Sequence, residues 1–179
     1  MLRSNRKRFL RDVFEWDVVN WSAALHFWQD HLQVELAGAS ALEIGAHDGG
    51  LSLWLAMKGA NVICSDMRET RKQAREKHVL YGVTEKIKYQ KIEARDIPYE
   101  NCFNVIVFKS LLGGVRGYFG DDAHVQVVSS IFRSLKPGGQ LLFAENLEAS
   151  GLHPFHEEQI RQLGKDMEIP EAGRYPVTV

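Results

Sequence analysis

Apolar residues run along this chain in two different periods. Short apolar stretches predict strands at about Ala41 to Gly45, Asn61 to Ser65, Ile87 to Ile92, Asn104 to Phe108 and Gln140 to Glu145. Helical spacing falls between and before them. Leu51, Trp54, Leu55 and Lys58 share one face of a helix that Gly59 stops, and Val127, Val128, Ile131 and Leu135 share a face of another, about Asp122 to Leu135. Trp21, Leu25, Trp28 and Leu32 form an earlier apolar face, with Asn20 placed to cap its first turn. Residues 69 to 80 mix both charges and read as a solvent-facing helix, on which His78 is a surface or helix-end residue. Gly113 to Asp122 is glycine-rich, and it reads equally as a mobile substrate loop or a long connection.

The stretch from Ala41 to Asp66 is therefore strand, glycine turn, helix and strand, half of a nucleotide-binding βαβ unit. Its turn is Gly45-Ala46-His47-Asp48-Gly49-Gly50. A pyrophosphate needs a glycine where His47 stands, so that backbone N–H groups can approach it, and the charge of Asp48 would repel it. A ligand with an ammonium and a sulfonium at one end and an adenosine ribose at the other suits these charges. Glu43 would face its cationic end, and Asp66 would accept from the two ribose hydroxyls. S-adenosylmethionine is such a ligand.

Four segments in register resemble the Rossmann-like, class I S-adenosylmethionine-dependent methyltransferases. Glu43-Ile44-Gly45-Ala46-His47-Asp48-Gly49 resembles the first motif, [DE]-x-G-x-G-x-G, with His47 in place of the second glycine. Asp66 ends strand two, Glu93-Ala94-Arg95-Asp96-Ile97-Pro98-Tyr99 resembles the acidic-Ala-x-x-Leu-Pro-Phe segment, and Leu135-Lys136-Pro137-Gly138-Gly139 precedes the last apolar strand. Together they cover roughly residues 38 to 147. The resemblance implies an α/β fold: a three-layer αβα sandwich around a mostly parallel sheet. Residues 1–36 would be a helical extension acting as a lid, and 37–179 the cofactor-binding methyltransferase domain.

The cofactor residues implied are Glu43, Gly45, Ala46, His47, Gly49, Asp66, Met67, Glu93, Ala94, Lys109, Ser110 and Trp21. In this reading Met67 packs on the adenine, Glu93 and the Ala94 backbone read its edge, and Trp16 and Trp21 belong to the lid. The resembled fold completes its sheet with an antiparallel pair, whereas beyond Asn146 there is one helical stretch, about His156 to Leu163, and one β-prone run, Tyr175 to Val179. The C-terminal strands thus read as incomplete. Either the chain is a truncated form of a longer protein, or a second subunit in a homo-oligomer covers the Leu141-Leu142-Phe143 edge.

With 179 residues and 45% apolar content, one core is expected. A net charge of −1 offers no field to draw nucleic acid or an anionic membrane, and the basic block of Arg3, Arg6, Lys7, Arg8 and Arg11 reads as a solvated face. Cys64 and Cys102 fall in apolar runs, which predicts buried free thiols in a reducing compartment, and no zinc-type Cys/His spacing suggests a metal. The chain starts with charged residues and holds no run long enough to span a membrane, so a cytoplasmic enzyme is expected. Methyl transfer needs an acceptor held in line and shielded from water, with a base only where the acceptor must lose a proton. Candidate bases are His153, His156 and Lys109, with His124 also available. No Asn-Pro-Pro-Tyr-type motif follows strand four, which favours a small-molecule or sugar acceptor. The competing reading is a catalytically silent module that binds the cofactor or a partner.

Overall fold

The computed structural model of the chain describes residues 2–16, 18–120 and 122–145. Among them are five strands: β1 (Ser40–Glu43), β2 (Asn61–Asp66), β3 (Ile87–Lys91), β4 (Phe103–Lys109) and β5 (Leu135–Ala144). They form one sheet in the order β3-β2-β1-β4-β5, and every pairing is parallel. The chain builds outward from β1 through β2 to β3, then returns to the other side of β1 for β4. That reversal between β1 and β4 is where open α/β sheets bind ligands, outside the carboxyl ends of the strands.

Alternate residues of each strand serve opposite faces. Ala41, Val62, Cys64, Val105, Val107 and Leu142 enter one apolar cluster, while Leu42, Ile106, Phe108, Leu141 and Phe143 enter the other. Helices α1 (Leu2–Phe14), α2 (Val18–His31) and α3 (Gly50–Met57) cover the first face. Helices α5 (Leu112–Phe119) and α6 (Ala123–Ser134) cover the second, giving the three-layer sandwich. Helix α4 (Lys72–Leu80) lies beside α3 and leads through a 3₁₀ turn at Thr84–Lys86 into β3. Trp28 of α2 and Trp54 of α3 are fully buried with ring centroids 5.9 Å apart, so α2 packs into the same apolar cluster as the sheet.

Several elements depart from the sequence reading. Helix α1 is additional: its four arginines and one lysine conceal the spacing of Phe9, Leu10, Val13 and Phe14, which pack into the core. Asn20 lies inside α2 rather than capping it. The glycine-rich segment is neither loop nor bare connection but the helix α5, although glycine costs a helix interior about 1 kcal/mol relative to alanine. Two features offset that cost: Leu112 and Val115 are buried, and the amides of Leu111 and Leu112 donate to Glu145 Oε1 at 2.6 and 2.7 Å. Cys64 is buried as expected, whereas Cys102 is only half-buried. His78 is a core residue, fully inaccessible, and not a surface one. The side chains of Leu141, Leu142 and Phe143 are already buried within the chain. The segments expected around His156 and Tyr175, with the candidate bases His153 and His156, lie outside the described residues.

Candidate functional site

Parallel register brings the strand tips to one level: Glu43 pairs with Cys64 and Val107, and Asp66 with Lys91. Between these tips lies a cleft of about 170 Å³. Gly45, Asp66, Met67, Glu93, Ala94 and Ser110 line it, so half of the residues expected at a cofactor site meet there. Ile44, Ile92, Leu111, Val115, Tyr118 and Phe119 supply its apolar walls. The contribution of α5 was not legible, because only its folding as a helix brings Tyr118 and Phe119 over the cleft.

The two carboxylates of the cleft are held before any ligand arrives. Asp66 accepts the backbone N–H of His47 on Oδ2 at 3.2 Å and that of Arg68 on Oδ1 at 3.1 Å, which fixes its plane and leaves lone pairs free. Glu93 is gripped by Arg95, whose Nε and Nη2 lie 2.9 and 2.7 Å from Oε2. Although desolvation opposes it, these bonds hold the Glu93 carboxyl below its ordinary range. The Arg95 guanidinium in turn lies 3.5 Å from the centre of the Phe119 ring, tying α5 to the segment after β3.

Glu43 does not line the cleft. Its Oε1 and Oε2 accept the N–H groups of Leu51 and Ser52 at 3.2 and 2.7 Å, capping α3 from the neighbouring strand. Burial pushes its carboxyl up to about 7, and the Ser52 and Leu51 hydrogen bonds only partly resist that. Glu145 does the same for α5, its carboxyl likewise raised by burial.

His47, Lys109 and Trp21 form a second group on the side of α1 and α2. Lys109 Nζ donates to the Phe14 carbonyl at 2.8 Å, lies 3.0 Å from the centre of the Trp16 ring and 5.6 Å from that of Trp21. Burial draws its pKa down to about 8, opposed by the charges of Glu15 and Glu43. Trp21 is buried, and its indole N–H has no hydrogen-bond acceptor among the described residues. His47 Nδ1 lies 2.9 Å from Glu15 Oε2, and its ring meets Trp16 edge-on at 5.7 Å. Glu15, His47 and Ser110 all carry positive φ angles of 49° to 66°, a conformation unusual for residues with side chains and one that concentrates at functional sites. Glu15, His47 and Asp48 come close enough to ligate a cation. However, Lys77 at 3.3 Å from Glu15 and Arg71 at 3.6 Å from Asp48 already neutralise both carboxylates.

Gly49 and Ala46 belong to the loop itself: Ala46 N–H donates to Ser65 O and Gly49 N–H to Ala46 O, which closes the turn. The remaining expected base, His124, is the second residue of α6 and is not among the residues that line the cleft.

A parallel sheet with its switch point between β1 and β4, a glycine-containing loop between β1 and α3 and an acid at the tip of β2 define a Rossmann-like nucleoside-binding domain. Comparison with known proteins sharpens that class. The model of the methyltransferase domain family matches residues 42–143, and the chain belongs to that family, the class I S-adenosylmethionine-dependent methyltransferases. Ubiquinone biosynthesis O-methyltransferase of Pseudomonas putida (strain W619) is 33% identical over 119 residues, covering 65% of this chain and 48% of that protein. The protein of the same name from Pseudomonas fluorescens (strain SBW25) is 33% identical over 120 residues, with the same coverage. The chain thus spans about half the length of these curated relatives. Among solved structures, phosphoethanolamine N-methyltransferase 2 of Haemonchus contortus in complex with S-adenosyl-L-methionine superposes with a TM-score of 0.61 at 21% identity, covering 82% of this chain and 36% of that one. An S-adenosylmethionine-dependent methyltransferase from Mesorhizobium loti gives 0.51 at 18% identity, covering 69% and 51%. These two share the fold.

Proposed function

We propose that the chain binds S-adenosylmethionine across the tips of β1 to β4 and transfers its methyl group to an oxygen of a small-molecule acceptor. The observation that carries this reading is Asp66, a carboxylate preset by two amides beside an apolar slot formed by Met67, Ile92, Ala94 and Leu111. A ribose diol would donate to its free lone pairs while the adenine fills the slot. The methionyl end would then run past Gly45 and Ser110 toward His47, Trp21 and Lys109. Glu43 supports this site indirectly, by fixing the start of α3.

We assign the acceptor proton to Lys109. With its pKa lowered to about 8, roughly a tenth of its ammonium is deprotonated at neutral pH, and a bound sulfonium would lower that value further. When bound, S-adenosylmethionine would supply the methyl group to the acceptor oxygen and leave as a neutral thioether, and the free Lys109 amine would take the proton that the acceptor hydroxyl loses. The O-methyltransferase names of the curated relatives support an oxygen acceptor.

Calorimetry of the full chain with S-adenosylhomocysteine tests the reading. Asp66→Asn should weaken binding roughly 10- to 100-fold, the range for losing hydrogen bonds to a charged group. A wild-type chain that does not bind, or an Asn variant that binds equally well, overturns it. Binding without transfer to any alcohol, phenol or amine would instead support the silent module.

A further inference from the structure

Helix α4 carries charges of both signs on Lys72, Arg75, Glu76 and Lys77, and its buried side chains are Ala74 and His78. His78 is buried completely yet makes two polar contacts: Nε2 lies 2.8 Å from the Gly49 carbonyl and Nδ1 lies 2.8 Å from the Tyr89 hydroxyl. A carbonyl oxygen only accepts, so Nε2 carries the proton, and Nδ1 is left to accept from Tyr89. The Tyr89 ring stacks on the imidazole, and Arg75 covers the Tyr89 ring at 3.9 Å, which locks the orientation.

We propose that His78 is a positioning residue for the cofactor loop, acting through the Gly49 carbonyl on the placement of Asp66. This rests on the cofactor reading above. Gly49 ends the loop with a φ of 69°, and a Cβ there would lie 2.7 Å from His78 Cε1, so ring and loop are fitted to each other. From Gly49 the turn runs back to Ala46 through a 2.7 Å hydrogen bond, and the intervening His47 N–H holds Asp66 Oδ2. A displacement of Gly49 therefore reaches the ribose-binding carboxylate. The Gly49 carbonyl also accepts from Leu53 N–H at 3.0 Å, so α3 keeps its first hydrogen bond when the imidazole is removed. The contact is thus needed more for the loop's position than for the helix.

The neighbouring residue extends the same control to the lid. Lys77 Nζ donates to the Asp12 carbonyl at 2.8 Å and lies 3.3 Å from Glu15, so consecutive residues of α4 hold the end of α1 and the cofactor loop.

Three variants of the full chain test the inference by S-adenosylhomocysteine calorimetry paired with urea unfolding. His78→Phe fills the volume without a donor and should lose at least ~10-fold in affinity. His78→Gln, whose terminal amide reaches the same carbonyl, should recover most of that loss. Tyr89→Phe frees the ring orientation and should weaken binding by about 3-fold with little change in unfolding midpoint. Equal affinity of wild type and His78→Phe overturns the inference, as does equal loss in the Phe and Gln variants. If His78→Phe fails to fold, unchanged binding in Tyr89→Phe overturns it instead. A wild-type chain that does not bind sinks the cofactor reading and this inference together, a result distinct from a silent variant of a binding chain.

Discussion

Gly50 pits two physical effects against each other, and their magnitudes predict which wins. It is the first residue of α3 with no left-handed φ, so helix propensity alone predicts that Gly50→Ala stabilises the protein by up to about 1 kcal/mol. However, an alanine Cβ there would lie 2.0 Å from the carbonyl oxygen of Val13 and 2.6 Å from its carbon. Both are backbone atoms at the end of α1, so no side-chain rotation relieves the overlap. Restoring ordinary contact requires α1 to retreat by roughly 1 Å or more. Val13 and Phe14 are 1% and 0% exposed, and full burial of such a side chain is worth about 1.5–3 kcal/mol. Losing even half of it at both, with the 2.8 Å bonds from Lys77 and Lys109 to α1 carbonyls, exceeds the propensity gain. Gly50→Ala should therefore destabilise the full chain by about 2–4 kcal/mol in urea unfolding, with a changed emission from Trp16. Gly113→Ala is the control of opposite sign: nothing lies within 4 Å of its Cβ, and α5 should gain up to about 1 kcal/mol. A Gly50→Ala protein as stable as wild type would refute the close docking of α1 on α3.

Two further outcomes follow from titration. Glu43 holds its proton more tightly folded than unfolded, so its contribution is complete below about pH 4.5 and is lost as pH rises through about 7, a change of about 3 kcal/mol. The stability difference between wild type and Glu43→Gln should shift against wild type by that order between about pH 4 and pH 8, and a pH-independent difference would remove the assigned burial. For Lys109, transfer to an oxygen acceptor should rise with pH toward a plateau above about 8. Lys109→Arg, which keeps the charge and cannot give it up, should abolish that rise and most of the rate. An unchanged pH profile in the Arg variant would exclude Lys109 as the base.

The strand tips were legible in the sequence because parallel strands covered on both faces leave uninterrupted apolar runs, and parallel register then places their following residues together. Asp66, Met67, Glu93, Ala94 and Ser110 meet at one cleft for that reason. Spacing says nothing, however, about which way an acid at a strand tip turns. Glu43 and Asp66 end β1 and β2 alike, yet Glu43 turns into the amides of α3 and Asp66 lines the cleft. The difference lies in what is left unsatisfied: an α-helix start exposes backbone N–H groups that must find acceptors, and both the cap Gly49 and the first residue Gly50 of α3 have no side chain to offer. The same demand explains Glu145 at α5, where Leu111 stands in the cap position. The side of α1 was least legible, because its contacts join residues far apart in sequence: Lys77 to Asp12 across 65 positions and Lys109 to Phe14 across 95. Helices with many charges look solvated in sequence, although a few of their residues are the anchors. In α4 the mixed charges hide one buried histidine and one lysine that ends on a backbone carbonyl. Carbonyls and amides are supplied by every residue and leave no trace in composition, so anchors that use them emerge only once the chain is folded.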